Sequence, residues 1–467
     1  MISSESPNSA ACAALAQFGD SLEKITASMM LAYYEFLNVK FSLWYNITKG
    51  EHIMLRKILL LLMCILLLSG CMGTNAKKMD LNGEQKAAAK VVLGIERVAE
   101  PEVKKLLEGK RLGLFTNQTG VDSKLHSSVD ILRTQYTLSA IFVPEHGLYG
   151  AVEAGKKFAS SEHEGTPVLS LYGSSRRPSK EMLEHIDTMV VDIQDVGVRH
   201  YTYFSSLAYI MEACAKYNKQ VVVLDRPNPL GDKMQGPVLK PEYATFIGLY
   251  PIPLRHGLTI GEFARYINKE EGINCALEVV PMQNYRAGMD WQATGLPWVQ
   301  TSPRIPTAEC AYLYCITGSL GNGNLSVGIG TGKPFHFVGA PFMEAAKVKQ
   351  ALDDKKLPGM GFRAAAFTPE AGAYAGKVVQ GVEVYVLDKN KANLAESGYV
   401  ILQTLRQLYP GLLTFKERGY GLKGYKIDTN LGESSARENL PAQEVFSRWQ
   451  QETTDFSHKV KKYKLYQ

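Results

Sequence analysis

The run Leu138-Ser139-Ala140-Ile141-Phe142-Val143, followed at once by Pro144-Glu145-His146-Gly147-Leu148-Tyr149-Gly150, decides how this chain is read. A short apolar run ending in a Pro/Gly turn reads as a strand whose carboxyl end carries a carboxylate and an imidazole. In an open α/β sheet, ligands bind in the crevice at the carboxyl ends of the strands. Gly147 and Gly150 allow the tight turn and a close approach of substrate. The plainer reading is a solvated loop with an ordinary Glu and His. Three further strand ends of the same type weigh against it.

Outward from that stretch the pattern repeats. Strands are expected at Arg111–Thr116, Val168–Leu171, Thr188–Ile193, Gln220–Asp225 and Leu277–Pro281. Several are continuous Val/Ile/Leu runs, as expected for strands covered on both faces. Helix-length segments lie between them at Ser127–Thr134, Lys180–His185, Tyr203–Tyr217 and Thr259–Glu271. This alternation predicts an α/β fold with a Rossmann-like, doubly wound, mostly parallel sheet. The first strand is followed by Thr116-Asn117-Gln118-Thr119-Gly120 rather than Gly-x-Gly-x-x-Gly, and there is no Walker-type loop. A dinucleotide or nucleotide cofactor is therefore not expected, and no cofactor of any kind is assigned.

Pro297, Pro303 and Pro306 mark an ordered connector within Trp291–Pro306, after which the pattern changes. Val378–Leu387 reads as one long strand and Ala392–Leu408 as a helix. The expected division is a catalytic domain over residues 89–299 and a smaller α+β domain over 300–467.

Residues 1–88 are expected to stand apart. Arg56-Lys57 precedes the apolar run Ile58–Leu68, which ends in Leu68-Ser69-Gly70-Cys71. A basic start, an apolar stretch too short to span a bilayer and small residues before a cysteine describe a secretory signal. The ending resembles the bacterial lipobox, in which the cysteine becomes the lipidated first residue. The expectation is an over-extended start at 1–53, a signal peptide at 54–70, lipidation at Cys71 and a polar tether over 71–88. The protein would be exported and held on the bacterial membrane by its lipid.

Of 467 residues, 52 are Lys or Arg and 46 Asp or Glu, a net charge of +6. The first 70 residues carry as many acidic as basic groups, so the remainder keeps the whole excess. It is spread without a basic block or stripe, which argues against nucleic acid. Cys214, Cys275, Cys310 and Cys315 have no ligand-like spacing with histidines, so no metal is expected. Buried thiols or a single disulfide are the open alternatives.

The strand ends bring together Asn117, then Glu145-His146, then Asp192–Tyr203, then Asp225-Arg226-Pro227-Asn228. Carboxylates, amides, arginines and aromatic hydroxyls around one crevice suit a polyhydroxylated ligand such as a sugar. Carboxylates across a cleft are also the usual equipment for glycoside hydrolysis. Each group has a structural alternative: Asp192 as a buried brace, Asp225-Arg226 as a local ion pair, and His200 and His256 as hydrogen-bonded core histidines. Tyr201 and Tyr203, two apart, would face opposite ways if extended, so at most one reaches the site.

Together, Asn117-Gln118-Thr119-Gly120, Pro144-Glu145-His146-Gly147, Asp192-x-x-Asp195-Val196-Gly197-x-Arg199-x-Tyr201-Thr202-Tyr203 and Asp225-Arg226-Pro227-Asn228-Pro229 resemble the exo-β-N-acetylmuramidase family (NamZ or YbbC-like). The similarity continues through Ser326-Val327-Gly328 and Lys333-Pro334-Phe335. It implies a cleft enzyme releasing N-acetylmuramic acid from non-reducing ends of peptidoglycan fragments, with Glu145 as the catalytic residue. The family pattern Glu-Gly-Thr-Asn and Gly-Arg-Gly-Thr is replaced here by Gly321-Asn322-Gly323-Asn324 and Gly328-Ile329-Gly330-Thr331.

On this reading Glu145 is general acid and then base, with His146 beside it. Asp195 is a nucleophile or the group orienting the substrate's acetamide. Asn117, Arg199, Tyr201, Asp225, Arg226 and Asn228 contact the sugar. Arg199 or Arg226 holds the lactyl carboxylate, which suits a planar guanidinium. Two rivals stand beside it: a lipid-anchored muropeptide-binding protein without catalysis, and an esterase or amidase, for which no Gly-x-Ser-x-Gly elbow is present.

Overall fold

A computed structural model describes residues 90–419 and 423–467. The expected start, signal, Cys71 and tether lie outside the described residues. The described residues cluster as one compact unit.

The strands in chain order are β1 (Arg111–Phe115), β2 (Thr137–Val143), β3 (Ser161–His163), β4 (Thr166–Ser170), β5 (Thr188–Val191) and β6 (Gln220–Leu224). They continue as β7 (Gln235–Val238), β8 (Pro253–Arg255), β9 (Ala276–Val280), β10 (Phe337–Ala340), β11 (Met360–Phe367) and β12 (Val379–Val386). The main sheet runs β3-β4-β2-β1-β5-β6-β9. Every pairing in it is parallel except the edge pair β3–β4. Without β3 the order is that of the doubly wound dinucleotide-binding sheet, reversing between β1 and β5. The strands expected from the apolar runs are present within one or two residues at each end.

Alternation along the strands divides the core between the two faces of the sheet. Leu112, Leu114, Ile141, Val143, Val190 and Val222 face one cluster. Phe115, Ala140, Phe142, Met189, Val191 and Val223 face the other. With both faces buried, these strands read as continuous apolar runs. The helix Ile260–Glu270 is set by a capping box, Thr259 accepting from Glu262 N–H while the Glu262 carboxylate accepts from Thr259 N–H.

The second face also supplies the core of the smaller α+β part. There the antiparallel sheet β10-β12-β11 packs Val338, Ala340, Val382 and Val384 into the same cluster. The expected long strand and helix appear as β12 and Leu394–Leu408. The short edge strand β3, β10 and the terminal helix Ala442–Val460 were not anticipated. The chain then returns to the main sheet, where the Tyr466 hydroxyl donates to Asp225 at 2.6 Å. All four cysteines in the described region are free and buried. Burial pushes the Cys310 and Cys315 thiols up to about 12, so neither is a ready nucleophile.

Candidate active site

The reversal point between β1 and β5 is where a doubly wound sheet usually binds its ligand, but here side chains fill it. Asp192, fully buried, accepts from Arg226 Nη2 at 2.8 Å and from the Ser128 hydroxyl. Arg226 Nη2 also donates to Val121 O, and Thr116 Oγ1 donates to Asp192 O. The remaining cavity beside Arg226 is only about 10 Å³, too small for a sugar.

The open cleft lies to one side, over the end of β2, with a volume of about 390 Å³. Glu145, His146 and Tyr201 line it, as the sequence leads one to expect. So do His200, Thr202, Arg304, Tyr314, Asn322 and Asn430, which sequence reasoning left out of the site. The sequence favours His200 as a hydrogen-bonded structural histidine over a ligand. Thr202 shares the Tyr201-Thr202-Tyr203 motif and was within reach of the reading. Asn322 lies in the Gly321–Asn324 stretch that departs from the family pattern, whereas Arg304 comes from the connector and Tyr314 and Asn430 from the helices Ala308–Thr317 and Lys426–Leu431, far along the chain from Glu145.

The turn after β2 is built around two successive residues with positive φ, His146 at 76° and Gly147 at 73°. His is among the non-glycine residues that tolerate this conformation, and it persists where the surroundings over-determine it. Here the following loop supplies that constraint. His146 Nδ1 lies 2.7 Å from Val152 O, and a carbonyl only accepts, so the neutral ring carries its proton on Nδ1. Nε2 is then the acceptor of the ring.

Glu145 is 8% exposed. Its Oε1 accepts from Gly155 N–H at 2.7 Å and its Oε2 from the Thr202 hydroxyl at 2.9 Å. The amide can only donate, whereas a hydroxyl can donate or accept. Oε2 is therefore the oxygen that can carry a proton without losing its partner. The Glu145 charge, after burial, helps raise the pKa of the neighbouring Tyr172 phenol.

His200 is the second imidazole of the cleft. Its Nδ1 lies 2.7 Å from the Tyr314 hydroxyl, and its buried Nε2 has no hydrogen-bond partner among the described residues. Burial, then the nearby Arg199 charge, pushes its pKa down to about 3. A neutral ring accepting from Tyr314 presents Nε2–H as a donor. The Tyr201 hydroxyl is likewise unpartnered.

The other expected contacts are placed elsewhere. Asn117 donates to Tyr203 Oη and accepts from Thr119, and Tyr203 is held on Thr301 O, so only Tyr201 of that pair reaches the cleft. Arg199, fully enclosed, donates to the carbonyls of Pro237, Ile252, Asn430 and Leu431. Asp225 accepts from Tyr466, Thr259, Gly261 and Arg226 N–H. Asn228 braces Leu230 and Leu258. These groups hold the strand ends in shape and do not line the cleft, because their hydrogen-bonding capacity is taken up internally. Asp195 is also outside the lining. Its Oδ1 accepts from Gly197 N–H at 2.7 Å, and His256 Nε2 stands 3.4 Å away without the alignment of a hydrogen bond. Burial chiefly, and in smaller part the Asp195 charge, raises the pKa of the Tyr201 and Tyr314 phenols. The two departures from the family pattern, Gly321 and Ile329, both line the cleft.

Residues 112–309 match the model of the exo-beta-N-acetylmuramidase NamZ N-terminal region, and residues 312–466 match that of its C-terminal region. The peptidoglycan beta-N-acetylmuramidase NamZ of Bacillus subtilis (strain 168) is 40% identical over 421 residues, which is 88% of this chain and 100% of that protein. A crystal structure of a DUF1343 family protein from Bacteroides fragilis NCTC 9343 superposes with a TM-score of 0.74 at 38% identity, covering 81% of this chain and 99% of that one. A second from the same organism gives 0.65 at 29%, with the same coverage. The cleft carrying Glu145 thus sits on a chain matched along nearly its whole described length, and the chain belongs to the exo-β-N-acetylmuramidase NamZ family.

Proposed function

We propose that this chain is an exo-β-N-acetylmuramidase that hydrolyses the β-1,4 bond of a terminal N-acetylmuramic acid in peptidoglycan fragments. The carrying observation is Glu145, the one carboxylate lining the cleft among the described residues, with one oxygen on an obligate donor and the other on a reversible hydroxyl. Family membership disfavours a binding protein without catalysis.

Glu145 Oε2 gives its proton to the glycosidic oxygen as the C1–O4 bond breaks. Because Glu145 is the single carboxylate lining the cleft among the described residues, the group that takes up C1 in this proposal is the substrate's own acetamide oxygen, forming an oxazolinium. Water then attacks C1 and passes its proton to Glu145, restoring the acid. His146 Nε2 supplies an acceptor and His200 Nε2–H a donor to hold the sugar in that pose. Incubation with a chromogenic β-muramoside and with a natural disaccharide tests the reading. On the natural disaccharide, whose leaving group needs the proton, release of N-acetylmuramic acid by the wild type but not by Glu145→Gln supports it, and equal turnover by both sinks it.

We also propose that the working protein begins at lipidated Cys71 and is membrane-anchored on the exported side. The Leu68-Ser69-Gly70-Cys71 ending supports this. Mass spectrometry of protein from cells should find an acylated Cys71 at the N-terminus. Residues 1–53 on the mature protein would overturn it.

A further inference from the structure

We propose that Arg304 is the residue that reads the lactyl carboxylate, and so separates N-acetylmuramic acid from N-acetylglucosamine in this cleft. The inference rests on the muramidase reading above. The two sugars differ only in the lactyl ether on O3, whose carboxylate is a full negative charge. A cleft that distinguishes them needs a matching cation.

Among the described residues that line the cleft, Arg304 alone has a permanent positive charge. His200 is held neutral. The arginines at the neighbouring strand ends are already committed, Arg199 to four carbonyls and Arg226 to Asp192. Lys333 is ion-paired with Glu383 at 2.7 Å and lines a separate groove.

Arg304 differs from all of these. Its backbone is pinned: Ile305 N–H donates to Ser302 O at 3.0 Å, and Cys310 Sγ donates to Arg304 O at 3.4 Å. Pro303 and Pro306 restrict the flanking backbone, and Ile305 is buried at 1% exposure. Arg304 is half-buried, and among the described residues its side chain makes neither a hydrogen bond nor an ion pair to a carboxylate. A planar fork on a stiff backbone, with its donors unspent, is pre-organised for bidentate capture of a carboxylate. Buried Nε2 of His200 and the Tyr201 hydroxyl, both without partners in the same cleft, mark it as a site built for a polar ligand.

The test compares matched chromogenic β-glycosides of the two sugars, and the methyl ester of the muramoside, with wild type, Arg304→Gln and Arg304→Lys. Arg304→Gln should lower kcat/KM on the muramoside by about ten- to a hundredfold and bring the ratio between the two sugars towards unity. Lys should recover only part of the preference, since it lacks the fork. The methyl ester should be a poor substrate for wild type and indifferent to the Gln substitution. A uniform loss on both sugars, or no loss on either, overturns the assignment. Calorimetric titration with the free monosaccharides gives a readout independent of turnover. If wild type hydrolyses neither glycoside yet binds N-acetylmuramic acid more tightly in an Arg304-dependent way, the muramidase reading fails and this one stands. If that binding preference survives Arg304→Gln, this one fails.

Discussion

The Thr202 hydroxyl stands 2.9 Å from Oε2 of Glu145, joining the turn after β2 to the residue just before the helix Tyr203–Lys216. Two segments 57 positions apart thereby define the one carboxylate oxygen that can exchange a proton. Gly155 N–H, on a third segment, fixes the other.

Glu145→Gln should preserve folding and lower kcat on an unactivated disaccharide at least about a hundredfold, the scale of a lost general acid. Thr202→Val, nearly isosteric, removes only the reversible partner and should cost about five- to tenfold. Steady-state rates on the natural disaccharide check both. A Thr202→Val loss as large as that of Glu145→Gln would mean the hydroxyl does more than hold the acid.

Participation by the acetamide passes C1 through two inversions, so the sugar released first should be the β-anomer. Time-resolved proton NMR reads this before mutarotation blurs it. Substituting electron-withdrawing fluorines into the acetyl group should slow hydrolysis progressively. Initial release of the α-anomer would instead require direct attack by water.

Arg226→Ala should behave as a stability mutant. It leaves Asp192, at 0% exposure, with its charge uncompensated. Breaking one side of such a buried pair costs about 3–5 kcal/mol, measurable by denaturant unfolding. The folded fraction should keep the wild-type preference between the two sugars, because Arg226 does not reach the cleft.

His200 gives a pH prediction whose sign follows from its pKa of about 3, against an ordinary 6.5. The folded value is the lower one, so the unfolded chain takes up the proton first. The stabilising contribution is therefore fully present above pH 6.5 and is lost as pH falls towards 3. Its size is of order a few kcal/mol. Unfolding free energies across that window should fall less steeply in His200→Asn than in wild type. An unchanged slope would show that the imidazole is not held neutral.

The sequence by itself determined the sheet. Val190, Val222 and their neighbours are apolar because both faces of β5 and β6 are covered, and burial on two faces leaves a continuous local pattern. It also marked Glu145 and His146 as a charged pair on a Pro/Gly turn after a strand end, a local signal, and both lie on the cleft wall after β2. Only the tertiary structure decided which other polar strand ends line the cleft. Asp192, Arg226, Asp225 and Asn228 look like Glu145 in sequence, but each has its hydrogen bonds taken up by a partner 30 or more positions away, such as Arg226 by Asp192. The converse holds for Arg304 and His200, which line the cleft with side-chain nitrogens that have no partner among the described residues. Whether a polar group is spent or free depends on long-range neighbours, and local sequence carries no record of them.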